Sequence, residues 1–145
     1  LLMEIATSPV LVGADLRVAP ASPGKADRLA PFLTHMRGTL YVNLEEAGIL
    51  CRRIFSNSIE AAEAMLDAGA KRVLVTDGGS KATEGSREGL ISQAPPEVLV
   101  TRVTGAGDTF MAAHIAAEVR GASREVSLTR ALEAASIYVS GKTPI

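Results

Sequence analysis

The chain has 145 residues, 47% of them hydrophobic, a size that suits one globular domain with a sizeable core. Its net charge is −1, acids and bases are interspersed and aromatics are scarce, which excludes the basic stripe and stacking rings of a nucleic-acid binder. Cys51 is the lone cysteine, which excludes an intramolecular disulfide or thiolate metal cluster and points to a reducing cytoplasm; no apolar run approaches the roughly 18 residues of a membrane span.

"LLMEIA" carries Glu4 and no basic flank, and its first methionine is Met3. It reads as the tail of a helix whose start lies upstream, not as a signal peptide, so a longer parent protein is expected. "PVLVGADL" (9–16) predicts a short buried parallel strand. "SPGKADRLAPFLTHMRG" predicts a helix with Ser22 as cap, Pro23 at its first position, and Leu29, Phe32, Leu33 and Met36 on one face. Pro31 should kink or interrupt it.

"TLYV" (39–42) is a second strand, and "NLEEAGILCRR" a brief helix in which Gly48 argues against length. "NSIEAAEAMLDAGA" is the clearest helix: Asn57 and Glu60 have capping-box spacing, Ile59, Ala62, Met65 and Leu66 form a face, and Gly69 ends it. "KRVLVTD" (71–77) follows as a strand, with Lys71 and Arg72 solvating its start. "GGSKATEGSREGLIS" reads as a turn-rich excursion with a small strand near Leu90–Ile91. "EVLVTRV" (97–103) is the next strand, followed by a helix to about Arg120 that Gly121 closes. "SLTRALEAASIYVSG" is the last helix, with Ser127 as cap and Gly141 as stop.

Strands alternating with helices predict an α/β fold with a parallel sheet covered on both faces. Ligands gather at the carboxyl ends of such strands. Asn43, Thr76 and Gly105 are each expected at one.

In "TRVTGAGDTFMAAH" (101–114), Gly105 and Gly107 remove two side chains, so backbone can approach a ligand closely. The next helix offers unpaired N–H groups and a positive dipole end, which favour an anion, and places Asp108 in its first turn. Such an aspartate is a weak base, which phosphoryl transfer tolerates because positioning and charge stabilisation dominate its barrier. The same residues also suit an ordinary corner in which Asp108 only complements the helix. No Gly-Lys-Ser/Thr occurs, so a Walker loop is excluded, and Phe110 stands where a dinucleotide fingerprint needs a small residue.

Asn43 and Glu46 have capping-box spacing; as an amide and a carboxylate at a strand end they also suit Mg²⁺ held through water. Thr76 and Gly78 in "VTDGG" suit a phosphate or simply a turn, and Asp77 a turn. His35 and His114 lack paired spacing and read as packing or surface residues, not metal ligands. Cys51 reads as a small core residue.

Taken in order, "NLEE" (43–46), "VTDGG" (75–79) and "VTGAGDTF" (103–110) resemble the C-terminal half of the ribokinase-like (PfkB) carbohydrate kinase family. The resemblance runs from about Val10 onward. It implies a three-layer α/β/α sandwich in which residues 1–145 form the C-terminal nucleotide-binding part of one kinase domain, without its N-terminal half and lid.

Carried over by position, Asp108 would take the proton from the substrate hydroxyl, and the N–H groups of Gly105, Ala106 and Gly107 would form the anion hole. Asn43 and Glu46 would place Mg²⁺ and its waters. Thr76, Gly78 and Thr104 would touch ATP, and Ala134 and Ala135 would wall the adenine pocket. The implied partner is a small sugar or nucleoside, with neither nucleic acid nor membrane, and the implied assembly a homodimer through the lid.

Many relatives have Asp-Thr where this chain has Arg102 and Val103, which leaves the base intact but puts the subgroup and any monovalent-cation site in question. "VAPASPGKADRL" (18–29), "RVTGAGDTFMAA" and "ALEAASIYVS" look closer to pseudouridine kinases than to ribokinase.

Overall fold

The computed structural model describes residues 1–141. These divide into two compact units, residues 1–77 with 82–92, and residues 78–81 with 93 onward.

The first unit opens with helix α1 (Leu2–Thr7), where the sequence predicts helix. Strand β1 follows at Leu16–Val18, later than the 9–16 expected. Residues 9–13 form turns instead. Pro9 has no N–H to give a ladder, and the Leu11 carbonyl is taken by Ala14 N–H at 3.0 Å and His35 Nε2 at 3.0 Å. Val10 is 87% exposed and Val12 50%, so this run is neither buried nor in need of a sheet to pair its backbone.

Pro23–Phe32 is a 3-10 helix with Pro23 in its opening turn and Pro31 inside. Ser22 sits at the cap without a side-chain hydrogen bond, and Met36, beyond the helix end, is exposed. Strand β2 (Gly38–Asn43) leads directly into helix α2 (Leu44–Cys51). Gly48 interrupts neither: a Cβ there would lie 2.7 Å from the Arg53 carbonyl oxygen, so glycine permits the close return of the chain.

Helix α3 (Ser58–Asp67) is capped by Asn57, whose Oδ1 accepts from Glu60 N–H at 2.9 Å. The Glu60 carboxylate reaches Ser56 N–H, not Asn57, so the expected box is displaced by one residue. Its buried face runs through Ser58, Ala61, Ala62 and Met65, leaving Ile59 partly outside. Ser58 on that face joins a hydroxyl chain, Ser58 Oγ to Thr83 Oγ1 at 2.7 Å and Thr83 Oγ1 to Ser92 Oγ at 2.7 Å.

Strand β3 (Arg72–Thr76) runs parallel to β2, and β2 parallel to β1. The sheet is mixed, not wholly parallel as expected, because β4 (Ala82–Ser86) pairs antiparallel with β3. β5 (Gly89–Gln93) returns beside β4 through Arg87 and Glu88, completing the order β1-β2-β3-β4-β5. Where turns and one small strand were predicted, there is a hairpin. Arg72 is paired there at 3.4 Å with the fully buried Glu84, so it does not merely solvate the strand start.

Leu40 and Val42 of β2 are register partners of Val73 and Val75 of β3, and this face packs against Ala47, Phe55, Ala61, Ala62 and Met65. Tyr41 and Leu74, on the opposite face, are buried too, which explains the unbroken apolar runs.

The second unit holds helices α4 (Ala106–Val119) and α5 (Arg124–Val139), which pack on each other. Phe110, His114 and Ala117 form the buried stripe of α4, and Leu128, Ala131 and Leu132 that of α5. Ser123, not Ser127, caps α5; its side chain accepts from Val126 N–H, while Ser127 is buried within the helix. Gly121 and Gly141 follow the two helix ends with positive φ, as expected.

The predicted strand 97–103 is not one: among the described residues no strand pairs with it. Leu99 is 82% exposed and Val103 70%. Alternating apolar residues make a strand only when a neighbour supplies the ladder.

Candidate active site

Two of the three expected strand-end features are where the sequence puts them. Asn43 and Thr76 are register partners at the carboxyl ends of β2 and β3. The capping box is complete: Asn43 Oδ1 accepts from Glu46 N–H at 2.8 Å, and Glu46 Oε1 accepts from Asn43 N–H at 2.8 Å. These bonds hold the amide and a buried carboxylate in one place at the sheet edge. A groove of about 740 Å³ on α2 is lined by Leu44, Gly48, Ile49, Arg52, Ile54 and Asp77; Asn43, Glu46 and Thr76 are not among its lining residues.

No group of three or more His, Cys, Asp or Glu side chains that could cage a metal occurs among the described residues. Mg²⁺ keeps several waters and needs only one or two carboxylates plus phosphates, so a single fixed Glu46 with Asn43 fits such an ion and not a tightly caged one. Gly78, just past Asp77, has φ +55 and open space where a Cβ would lie.

The third feature is built differently from a strand end. Gly105 has φ +96 and is the N-cap of α4, so Ala106, Gly107 and Asp108 are its first three residues. Ala106 N–H donates to the Val103 carbonyl at 3.0 Å and closes the turn. Gly107 and Asp108 are exposed, and nothing crowds a Cβ built at Gly107. Asp108 thus presents its carboxylate to solvent at the positive end of α4.

What holds this turn was not visible in the sequence. The Tyr138 hydroxyl donates to the Thr104 carbonyl at 2.5 Å. A Cβ at Gly105 would fall on Tyr138 Oη and lie 2.9 Å from its Cζ. The Arg102 guanidinium stacks 3.9 Å from the Tyr138 ring centre, and its Nε donates to the Tyr138 carbonyl at 2.7 Å. Arg102 stood out only as a departure from the usual Asp; Tyr138 gave no signal, because its partners lie more than thirty residues away.

Behind the turn lies a cavity of about 330 Å³, lined by Arg102, Thr109, Arg130, Glu133, Ala134, Ile137 and Tyr138. Ala134 is on its wall; the half-buried Ala135 is not.

Both histidines pack, as expected. His35 is buried, with Nδ1 accepting from Arg37 N–H at 3.1 Å and Nε2 facing the Leu11 carbonyl. His114 is fully buried, stacked on Phe110 and 3.6 Å from Glu118 Oε1. Cys51 is half-buried against the core, and burial pushes its thiol pKa up, with Arg53 opposing. No helix among the described residues is long and apolar enough to cross a membrane.

The profile of the pfkB family carbohydrate kinases matches residues 15–145. The chain belongs to this family. Solved structures share its fold. Ribokinase of Thermotoga maritima is 22% identical with a TM-score of 0.76, over 95% of this chain and 46% of its own. A point mutant of phosphofructokinase-2 from Escherichia coli is 24% identical with a TM-score of 0.80, over 95% of this chain and 46% of its own. Arabidopsis thaliana ribokinase, solved with ribose and ATP, is 26% identical with a TM-score of 0.75, over 95% and 45%. The fold is therefore mixed α/β and ribokinase-like. The chain spans less than half the length of these structures. No curated protein sequence matches it.

Proposed function

We propose that the protein is an ATP-dependent phosphotransferase that phosphorylates a hydroxyl of a sugar or nucleoside, with pseudouridine the first acceptor to test. The observation that carries this reading is the first turn of α4, where Gly105 turns the chain and leaves Gly107 and the Asp108 carboxylate exposed at a helix N-terminus. Membership of the carbohydrate kinase family supports it.

In this reading Asp108 takes the proton from the acceptor hydroxyl, whose oxygen attacks the γ-phosphorus as ADP leaves. The turn Gly105–Ala106–Gly107 faces the phosphoryl group, with the N–H groups of Gly105 and Gly107 as donors, since Ala106 N–H is spent within the turn. Asn43 and Glu46 would hold Mg²⁺ through water, and a bound ion there would supply neutralisation of phosphate charge. Thr76, Gly78 and Thr104 contact the nucleotide, and Ala134 with Ala135 borders the adenine. The pseudouridine assignment rests on the stretch Pro20-Ala21-Ser22-Pro23-Gly24-Lys25-Ala26, which leads from β1 into the 3-10 helix. A lone cysteine suits the reducing cytoplasm where ATP is spent.

The test incubates the natural full-length protein with Mg-ATP and pseudouridine, uridine, ribose or fructose, and measures ADP release. Phosphorylation of pseudouridine above the others supports the whole reading. Preference for ribose or fructose keeps the kinase and discards the subgroup. ATP binding by calorimetry without phosphorylation of any acceptor would make the protein a nucleotide-binding module instead.

A further inference from the structure

We infer that Tyr138 is a positioning residue for the phosphate-facing turn: its hydroxyl, through the Thr104 carbonyl, fixes the direction in which α4 presents Gly107 and Asp108. The consequence for turnover rests on the kinase reading; the tether itself does not.

Residues 97–104 belong to no helix or strand, and all of them are exposed. A turn fed by such a segment should drift, because few buried contacts restrain it. It is restrained instead by the end of α5. The last carbonyls of a helix lack intrahelical partners. Here Val139 O accepts from Thr101 N–H at 2.7 Å and Arg102 N–H at 3.1 Å, and Tyr138 O accepts from Arg102 Nε. These bonds hold the segment up to Arg102. Among the described residues, the Tyr138 hydroxyl is what reaches further, to Thr104, next to the glycine that starts α4.

Gly105 completes the arrangement. Its φ of +96 suits glycine, and its missing side chain leaves the room that the Tyr138 ring tip fills. Arg102, stacked on the ring, keeps that tip in place. The same ring lines the cavity behind the turn, so one side chain meets both the cavity and the loop.

Tyr138→Phe removes the hydroxyl alone, leaving the ring, its stacking and the backbone carbonyl. In the natural full-length protein, amide exchange should rise at Ala106 and Thr109, whose N–H groups bond across the turn, but not at His114 further along α4. With the preferred acceptor, kcat should fall about tenfold or more while the KM for ATP stays within about twofold, as misplacement of reacting groups does. Arg102→Ala should move both readouts in the same direction. Unchanged exchange at Ala106 and Thr109 overturns the tether. A raised KM with unchanged kcat overturns the positioning role, making Tyr138 a nucleotide contact only. If the parent protein phosphorylates nothing, the kinase reading fails and the exchange result alone decides the tether.

Discussion

Asn43 and Thr76 stand side by side at the carboxyl ends of two parallel strands, and the same Asn43 caps the helix that follows. One residue thus serves helix stability directly and, in the proposed enzyme, the metal's water shell. The two roles separate by substitution. Asn43→Ala should cost about 1 kcal/mol of stability through the lost cap. Asn43→Ser keeps an N-cap oxygen, so its thermal midpoint should stay near that of the parent. If the amide also orders the metal's waters, Asn43→Ser should still raise the Mg²⁺ concentration needed for half-maximal rate. A titration of rate against Mg²⁺ checks this, and an unchanged midpoint removes Asn43 from the metal site.

Asp108 is exposed in the first turn of α4. Replacing it with Asn should lower kcat by about 10² to 10⁴, the range of a lost general base. Stability should fall by no more than about 1 kcal/mol, the worth of a charge at a helix end. Single-turnover kinetics beside a thermal melt would show both. Near-normal turnover would disprove the base assignment.

Gly105→Ala meets two obstacles at once, a φ of +96 and the Tyr138 ring tip. Positive φ alone costs of order 1–3 kcal/mol for a residue with a side chain. Chemical denaturation should show a loss at least that large. Pairing it with Tyr138→Ala should recover the collision part but not the backbone part, so the double-mutant cycle should not be additive.

Burial holds the Cys51 thiol pKa above its ordinary value, against the opposing charge of Arg53. Below roughly pH 8.5 the thiol is protonated folded or unfolded, and its linkage contribution is constant. Above that, the unfolded chain loses the proton while the folded chain keeps it, so stability should fall as pH rises toward the folded-state value. Denaturation between pH 7 and 10 should show this slope, and Cys51→Ala should flatten it. Iodoacetamide should label native Cys51 more slowly than a cysteine in a short peptide.

Much of the first unit was legible because its signals are local. The cap spacing of Asn43 with Glu46, the apolar runs of β2 and β3, and the glycine after α3 each depend on neighbours a few residues away. The small strand expected near Leu90–Ile91 is β5, but its partner β4 was hidden, because Ala82–Ser86 has little strand propensity. Its pairing to β3 and the buried hydroxyl chain at Thr83 create the strand. Segment 97–103 erred the other way, with strand composition but, among the described residues, no strand beside it.

The sequence by itself determined the family, through three motifs in order, and located Asp108 in the first turn of a helix, because turn glycines and helix starts are written in adjacent residues. Only the tertiary structure decided how that turn is held. The ring of Tyr138 against Gly105, its hydroxyl on Thr104 and the guanidinium of Arg102 on its face join residues more than thirty positions apart. No local spacing encodes such contacts; packing the end of α5 against the chain leading into α4 creates them.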